Sequence, residues 1–193
     1  MKYAVMIGTL ALGMAAMPAL AQQPNPTSRP ATQPDTHKAG TMKAGSDDHF
    51  IMETANASMA EVELGKLASD KASNAEVKKF GERMVDDHGK ANDELKTLAQ
   101  NKNVTLPSTI DAKHKAVMDK LSKLSGEQFD KAYVQEMVKG HQQVAASFRT
   151  ESKSGKDADV KAWAAKTLPT IEEHLKMAQE LSKSAVGTSG TKK

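Results

Sequence analysis

The sequence lacks cysteine entirely and is poor in aromatic residues, which make up 4% of its 193 positions. Without cysteine the chain cannot form a disulfide scaffold, a thiolate zinc site, an iron–sulfur cluster or a thiol nucleophile. It also lacks an excess of one charge, because 27 Lys and Arg face 24 Asp and Glu, and both signs are mixed along every segment. A nucleic-acid-binding domain usually clusters its basic residues, so this composition argues against a nucleic-acid partner.

The first 21 residues have the pattern of a secretory signal peptide. Lys2 supplies a positive charge, residues 4–20 are uncharged and mostly apolar, and Ala19 and Ala21 offer the small side chains that a signal peptidase recognises. We expect cleavage after Ala21, with a retained membrane anchor as the alternative. Export predicts a periplasmic or outer-membrane-associated mature chain, in which we expect no transmembrane span.

The mature chain divides into a folded part between two polar segments. Residues 22–45 hold four prolines and many small polar residues without apolar periodicity, which predicts a disordered linker. Residues 184–193 are predicted to form a disordered tail. The folded part, residues 46–183, is predicted to be all-α: a four-helix bundle with a short extra helix in the crossover between helices 2 and 3. The long helices are predicted at about 47–70, 73–100, 125–152 and 157–183, and the short one at about 109–124.

Three residues are predicted to cap helix ends, and a fourth is predicted to bend a helix. Ser73 and Glu76 have the spacing of a capping box at the start of the second long helix. Asp130 is predicted to cap the first turn of its own helix. Pro169 is predicted to kink or split the last helix, because proline lacks a backbone N–H and clashes with the preceding turn.

Each long helix carries one carboxylate or imidazole near the middle of its apolar stripe. These four residues are Glu61, His88, His141 and His174. Buried polar groups without partners are costly, so the four are expected to meet one another, meet a ligand or form local hydrogen bonds. A carboxylate and three imidazoles in a bundle core predict a site for one divalent metal ion: iron, manganese, zinc or copper. A metal-free hydrogen-bonded cluster is the alternative.

Residue counts constrain the heights of these side chains only within each hairpin. Counting from the turns, the two members of each pair differ by about 5–8 Å along the bundle axis. The crossover is too long for one hairpin to be placed against the other from the sequence.

Other residues near the histidines are candidates for supporting roles. Asp87 is a candidate to orient an imidazole through a hydrogen bond. Three methionines lie three or four positions from the histidines on the same helix faces: Met84, Met137 and Met177. Thioethers beside imidazoles suit Cu(I), whereas the alternative is that these methionines fill the core.

Several segments resemble a known bacterial family. They are AEVELGKLA (60–68), FGERMVDDH (80–88), VTLP (104–107), LSGEQFDKAYVQEMVKGHQ (124–142) and KTLPTIEEHL (166–175). Together and in this order they resemble the domain-of-unknown-function family numbered 4142, across residues 46–183. The resemblance implies an exported, ferritin-like helical bundle, sometimes labelled an outer-membrane protein, and it implies no particular activity.

The sequence departs from the ferritin-like di-iron pattern, which places Glu-x-x-His on two helices. The residues three positions before the histidines are Val85, Val138 and Ile171. The bridging carboxylates are therefore missing, which favours one bound ion over two.

Three functional hypotheses follow. The first is an exported bundle that binds one divalent metal ion for storage, buffering or stress protection. The second is a metal-free envelope protein that acts in stress through protein or surface contacts. The third is a redox enzyme with an open mononuclear site. The sequence shows no glycine-rich phosphate loop, no HExxH and no Ser–His–Asp arrangement, so it leans against an enzyme.

Overall fold

A computed structural model describes the backbone of residues 45–187 and the side chains of residues 45–184. The predicted signal peptide (1–21), residues 22–44 of the predicted linker and residues 188–193 of the predicted tail lie outside this range. Within the range the chain is all-helical, which confirms the predicted fold class. Its elements are α1 (Asp47–Lys71), α2 (Ala75–Asn101), α3 (Ala112–Ser122), α4 (Gly126–Ser154) and α5 (Ala158–Gly187). None of these helices is both long enough and apolar enough to span a membrane.

The four long helices form two antiparallel hairpins, α1–α2 and α4–α5, which pack together through α1 against α4 and α2 against α5. Two carboxylates tie the hairpins together at opposite ends. Asp47 at the start of α1 accepts the backbone N–H of Asp157 (2.6 Å), and Asp130 near the start of α4 accepts that of Asn74 (2.9 Å). The crossover that contains α3 therefore runs the length of the bundle, which is the connectivity of ferritin-like folds.

The predicted caps at the α1–α2 turn are wrong. Asn74 caps α2, and its Oδ1 accepts the N–H groups of Glu76 (2.8 Å) and Val77 (3.3 Å). Ser73 instead donates its hydroxyl to Asp130 (2.5 Å). Asp130 lies in the second turn of α4, where the backbone N–H groups are engaged within the helix, so its carboxylate caps the neighbouring turn.

The last helix is longer and more continuous than expected. α5 runs unbroken through Pro169, which is exposed, while Ile171 on the opposite face is buried. Packing of that inner face holds the helix together where proline removes one hydrogen bond. α5 ends at Gly187, so residues 184–187 are helical rather than part of a disordered tail.

The hydrophobic core consists of two apolar clusters. The first, near the α1–α2 turn, includes Phe80, Phe129 and Tyr133. The second, near the α4–α5 turn, includes Phe50, Phe148 and Trp163. On each long helix one buried polar residue, namely Glu61, His88, His141 or His174, falls between the positions that supply these two clusters. The core thus contains a polar layer between two apolar ones.

A close approach of α1 and α2 fixes the relative height of these helices. A Cβ atom on Gly65 would lie 2.5 Å from the carbonyl oxygen of Gly81, and one on Gly81 would lie 2.7 Å from Ala68 Cβ. Larger side chains at either glycine would push the helices apart. The pair lies less than two turns from Glu61 and His88, so it also aligns the α1 and α2 parts of the polar layer.

Candidate metal centre

Three histidines from α2, α4 and α5 meet at the centre of the polar layer. The ring centroids of His88, His141 and His174 lie 5.3, 5.5 and 5.8 Å apart, close to an equilateral triangle. The residues are 5%, 1% and 0% exposed. One ring nitrogen from each lies within 4.8 Å of the others. The structure therefore brings side chains from both hairpins to the same height, which the residue counts could not establish.

The tautomers of two of the imidazoles are fixed, because one ring nitrogen of each contacts an oxygen atom that can only accept a hydrogen bond. His141 Nδ1 lies 2.9 Å from the carbonyl oxygen of Met137, and His174 Nε2 lies 3.0 Å from Asp87 Oδ2. Each of these nitrogens must therefore be protonated and donate. In the neutral ring the lone pair is then on His141 Nε2 and on His174 Nδ1.

The third imidazole is held by Ser58 of α1. The Ser58 hydroxyl donates to the backbone carbonyl of His88 (3.3 Å). Its oxygen lies 3.1 Å from His88 Nδ1 and is free to accept from it. The lone pair of His88 is then on Nε2. Ser58 was not identified from the sequence, although its position one turn before Glu61 on a buried face was a usable signal.

The opposite nitrogen of each ring has no hydrogen-bond partner within the described residues, and each of these atoms is buried: His88 Nε2, His141 Nε2 and His174 Nδ1. A buried acceptor without a partner costs about 1–3 kcal/mol. Nor do the rings form the hydrogen-bonded cluster with Glu61 that was the alternative expectation. Each imidazole therefore has one ring nitrogen in a hydrogen bond and one without a partner among the described residues.

Burial keeps the three imidazoles neutral. It lowers the pKa of His141 from 6.5 to about 4. Burial, with the neighbouring imidazoles, also holds the pKa of His88 well below its ordinary value. Burial lowers the pKa of His174, although the hydrogen bond with Asp87 opposes this effect. A metal ion needs neutral imidazole as its ligand, and this is the form present at pH 7.

Glu61 lies beside the triad but outside the three-nitrogen group. It lines a cavity of about 20 Å³ together with His88 and His141, which has room for about one water molecule. Burial raises the pKa of Glu61 from 4.5 to about 8, and its Oε2 atom has no hydrogen-bond partner in the described part of the chain. The carboxyl group is therefore mostly protonated at pH 7 and lines this cavity.

Asp87 is the link between the triad and the surface. Its carboxylate accepts from His174 and from Arg83, which also reaches Glu173 (3.3 Å). Partial burial raises the pKa of Asp87, but the hydrogen bonds from Arg83 and His174 outweigh burial and lower it. An ionised carboxylate behind a histidine orients the ring and increases its basicity as a ligand.

The three methionines belong to the apolar cluster near the α1–α2 turn. Met84 and Met137 are buried there, and Met177 packs against it while partly exposed. The contact of Met137 with His141 is made by its backbone carbonyl. This placement is that of core-filling side chains.

The fold and the layer define a class: a four-helix bundle with one long crossover and a buried cluster of three histidines. The chain belongs to the family described as domain of unknown function (DUF4142), whose model matches residues 31–181. No curated protein matches the chain.

Two solved structures share the fold. One is described as CopM in the Cu(II)-bound form, with a TM-score of 0.62 and 16% identity, covering 72% of this chain and 97% of that chain. The other is described as CopM in the Cu(I)-bound form, with a TM-score of 0.61 and 17% identity, covering 72% and 96%.

Proposed function

We propose that this protein binds one copper ion through His88, His141 and His174, with Glu61 as a fourth ligand, and buffers copper in the cell envelope. The observation that carries the proposal is the convergence of three buried imidazoles whose lone pairs have no other partner. A bound ion would satisfy all three nitrogens at once.

The distances are compatible with this role after a small adjustment. In tetrahedral zinc sites imidazole nitrogens lie about 2.0–2.1 Å from the ion and therefore about 3.4 Å from one another, and we take this spacing as the guide for three imidazoles on one ion. The ring nitrogens lie within 4.8 Å, so ring rotations and shifts of about an ångström would complete the coordination.

Charge balance favours a divalent ion. Moving an uncompensated charge into a protein core is costly. Two carboxyl groups adjoin the triad: Glu61, which would lose its proton on binding, and Asp87, which is already ionised. Because Arg83 contacts both Asp87 and Glu173, the three carboxylates and the one guanidinium carry a net charge of −2, which balances a divalent ion.

The donor set favours copper among the divalent ions. Imidazole suits copper, zinc, iron and nickel, and Cu(II) binds a given nitrogen site most tightly in the first-row series. A di-iron centre needs bridging carboxylates, which the polar layer does not supply. The two CopM structures, described as copper-bound forms, share the bundle fold.

A copper titration with matched histidine variants tests the proposal. The mature chain, purified without an affinity histidine tag, is expected to retain about one copper per chain after desalting, measured by elemental analysis. His141→Ala should lose it. His114→Ala removes an imidazole that is half-buried and bonded to Asp111 away from the triad, and should retain the full equivalent.

Circular dichroism identifies any variant that fails to fold, and His88→Ala and His174→Ala provide independent replicates. Equal copper content in wild type and in the three triad variants would refute the site. No uptake by the wild type of copper, zinc, iron or manganese would favour the metal-free protein that acts through protein or surface contacts.

A further inference from the structure

The buried triad requires a route for its ion, because the three histidines are at most 5% exposed. The central cavity of about 20 Å³ adjoins two larger spaces on opposite sides of the bundle. A pocket of about 150 Å³ lies between α2 and α5. A groove of about 570 Å³ lies mainly between α1 and α4.

We infer that the ion reaches the histidines through the α2–α5 pocket, across a neck formed by Ala91, Thr167 and Ile171. This inference rests on the proposed copper-binding function and adds the direction from which the site is loaded and emptied.

Direct access to the ligands is the first reason. His88 and His174 themselves line the α2–α5 pocket. Besides His88, three residues line both this pocket and the central cavity and so separate the two spaces: Ala91, Thr167 and the buried Ile171. Ala91 and Thr167 are half-buried and neither is large, so a small motion of these two side chains beside Ile171 opens the neck.

The chemistry of the walls is the second reason. A hydrated cation gives up water only where other oxygen atoms replace it. The pocket offers the hydroxyls of Thr167 and Thr170 and the carboxylates of Asp87 and Glu94, which face the two lysines that also line it, Lys90 and Lys166. At its outer edge Glu94 is held by Lys166 (2.7 Å) and by Trp163 Nε1 (3.2 Å), which keeps this side chain from folding across the opening.

The α1–α4 groove is larger, but it gives no direct access to the histidines, and other side chains separate it from the triad. None of the three histidines is among the residues that line it. The side chains that line both the groove and the cavity, and so stand between solvent and the triad on this side, are Thr54, Ala57, Glu61, Val144 and Phe148. An ion on this path would pass Val144 and Phe148 before it reached any histidine, whereas in the α2–α5 pocket it meets His88 and His174 directly.

Two alanine-to-leucine variants provide a matched test. Ala91→Leu fills the neck on the α2–α5 side, and Ala57→Leu adds the same side chain where the groove meets the cavity. Copper loading is followed by stopped-flow quenching of Trp163, the single tryptophan, and copper release by transfer to a chromogenic chelator.

Ala91→Leu is expected to slow loading and release by about tenfold each, equivalent to about 1.4 kcal/mol on the barrier. Its equilibrium affinity should stay within about twofold of wild type, because a barrier change that affects both directions cancels in the equilibrium constant. Ala57→Leu should load at the wild-type rate.

Wild-type rates in Ala91→Leu, or equal or greater slowing in Ala57→Leu, would overturn the proposed route. If Ala91→Leu loses helical signal or copper stoichiometry, Thr170→Leu narrows the outer pocket without lining the cavity, and the same rate criteria apply to it. If the wild-type chain takes up no copper, the proposed function is refuted. If it takes up copper and the Ala91→Leu variant does so at the wild-type rate, only the proposed route is refuted.

Discussion

Glu61→Gln is expected to stabilise the metal-free protein, and to do so more strongly as the pH rises. Glu61 is 8% exposed, and its Oε2 atom has no hydrogen-bond partner among the described residues. Burial raises its pKa from 4.5 in the unfolded chain to about 8 in the folded one. Glutamine has the shape of the protonated carboxyl group and no charge to bury.

The magnitude follows from the linkage between proton binding and folding. Between pH 4.5 and 8 the unfolded chain releases the Glu61 proton while the folded chain keeps it. The free energy of unfolding therefore falls by about 1.4 kcal/mol per pH unit in this window. The advantage of Glu61→Gln over wild type should be about 3–4 kcal/mol larger at pH 8 than at pH 5.

Urea denaturation in the presence of a chelator measures this difference, with circular dichroism and Trp163 fluorescence as two probes. Glu63→Gln is the matched control, because Glu63 lies on the same helix with its side chain 46% exposed and paired with Lys66. Its effect should not vary with pH by more than a few tenths of a kcal/mol. Parallel stability curves for Glu61→Gln and wild type from pH 5 to 8 would refute the reasoning.

Three further predictions concern the histidines and the helix contact. Asp87→Asn should weaken copper binding by about 10- to 100-fold in a chelator competition, because it removes the charge behind His174. Between pH 6.5 and 4 the unfolded chain protonates His141 whereas the folded chain does not, given a folded pKa of about 4. The free energy of unfolding of the wild type should therefore fall by about 3 kcal/mol relative to that of His141→Gln across that window, as measured by urea titrations of the metal-free chain. Gly81→Ala should destabilise the fold by about 1–3 kcal/mol, since its Cβ would meet Ala68 Cβ at 2.7 Å. Gly89→Ala, whose Cβ would meet nothing within 4 Å, should instead stabilise it by about 0.5–1 kcal/mol.

The helical architecture was predictable because each long helix has a continuous apolar stripe bounded by residues that end helices. The local details were less so. Asn74 and Ser73 are both good capping residues, and the choice between them depends on Asp130, which lies 57 positions beyond Ser73. Pro169 does not split α5, because tertiary packing of the inner helix face outweighs the local preference.

The composition of the polar layer was visible in the sequence as one unusual residue on each stripe. The geometry of the layer could not be predicted from the sequence, because the long crossover leaves the relative height of the two hairpins undetermined. The contacts of Asp47 and Asp130 at opposite ends of the bundle fix that height. The tautomers also depend on contacts between helices, namely those of His174 with Asp87 and of His88 with Ser58.

A crystal structure of the mature protein with one equivalent of Cu(II), with diffraction recorded on both sides of the copper absorption edge, tests the central claim most directly. The account predicts one strong anomalous peak between α2, α4 and α5, about 2 Å from His88 Nε2, His141 Nε2 and His174 Nδ1. A peak only at surface residues, or a fully loaded crystal with the three imidazole nitrogens left without a ligand, would contradict it.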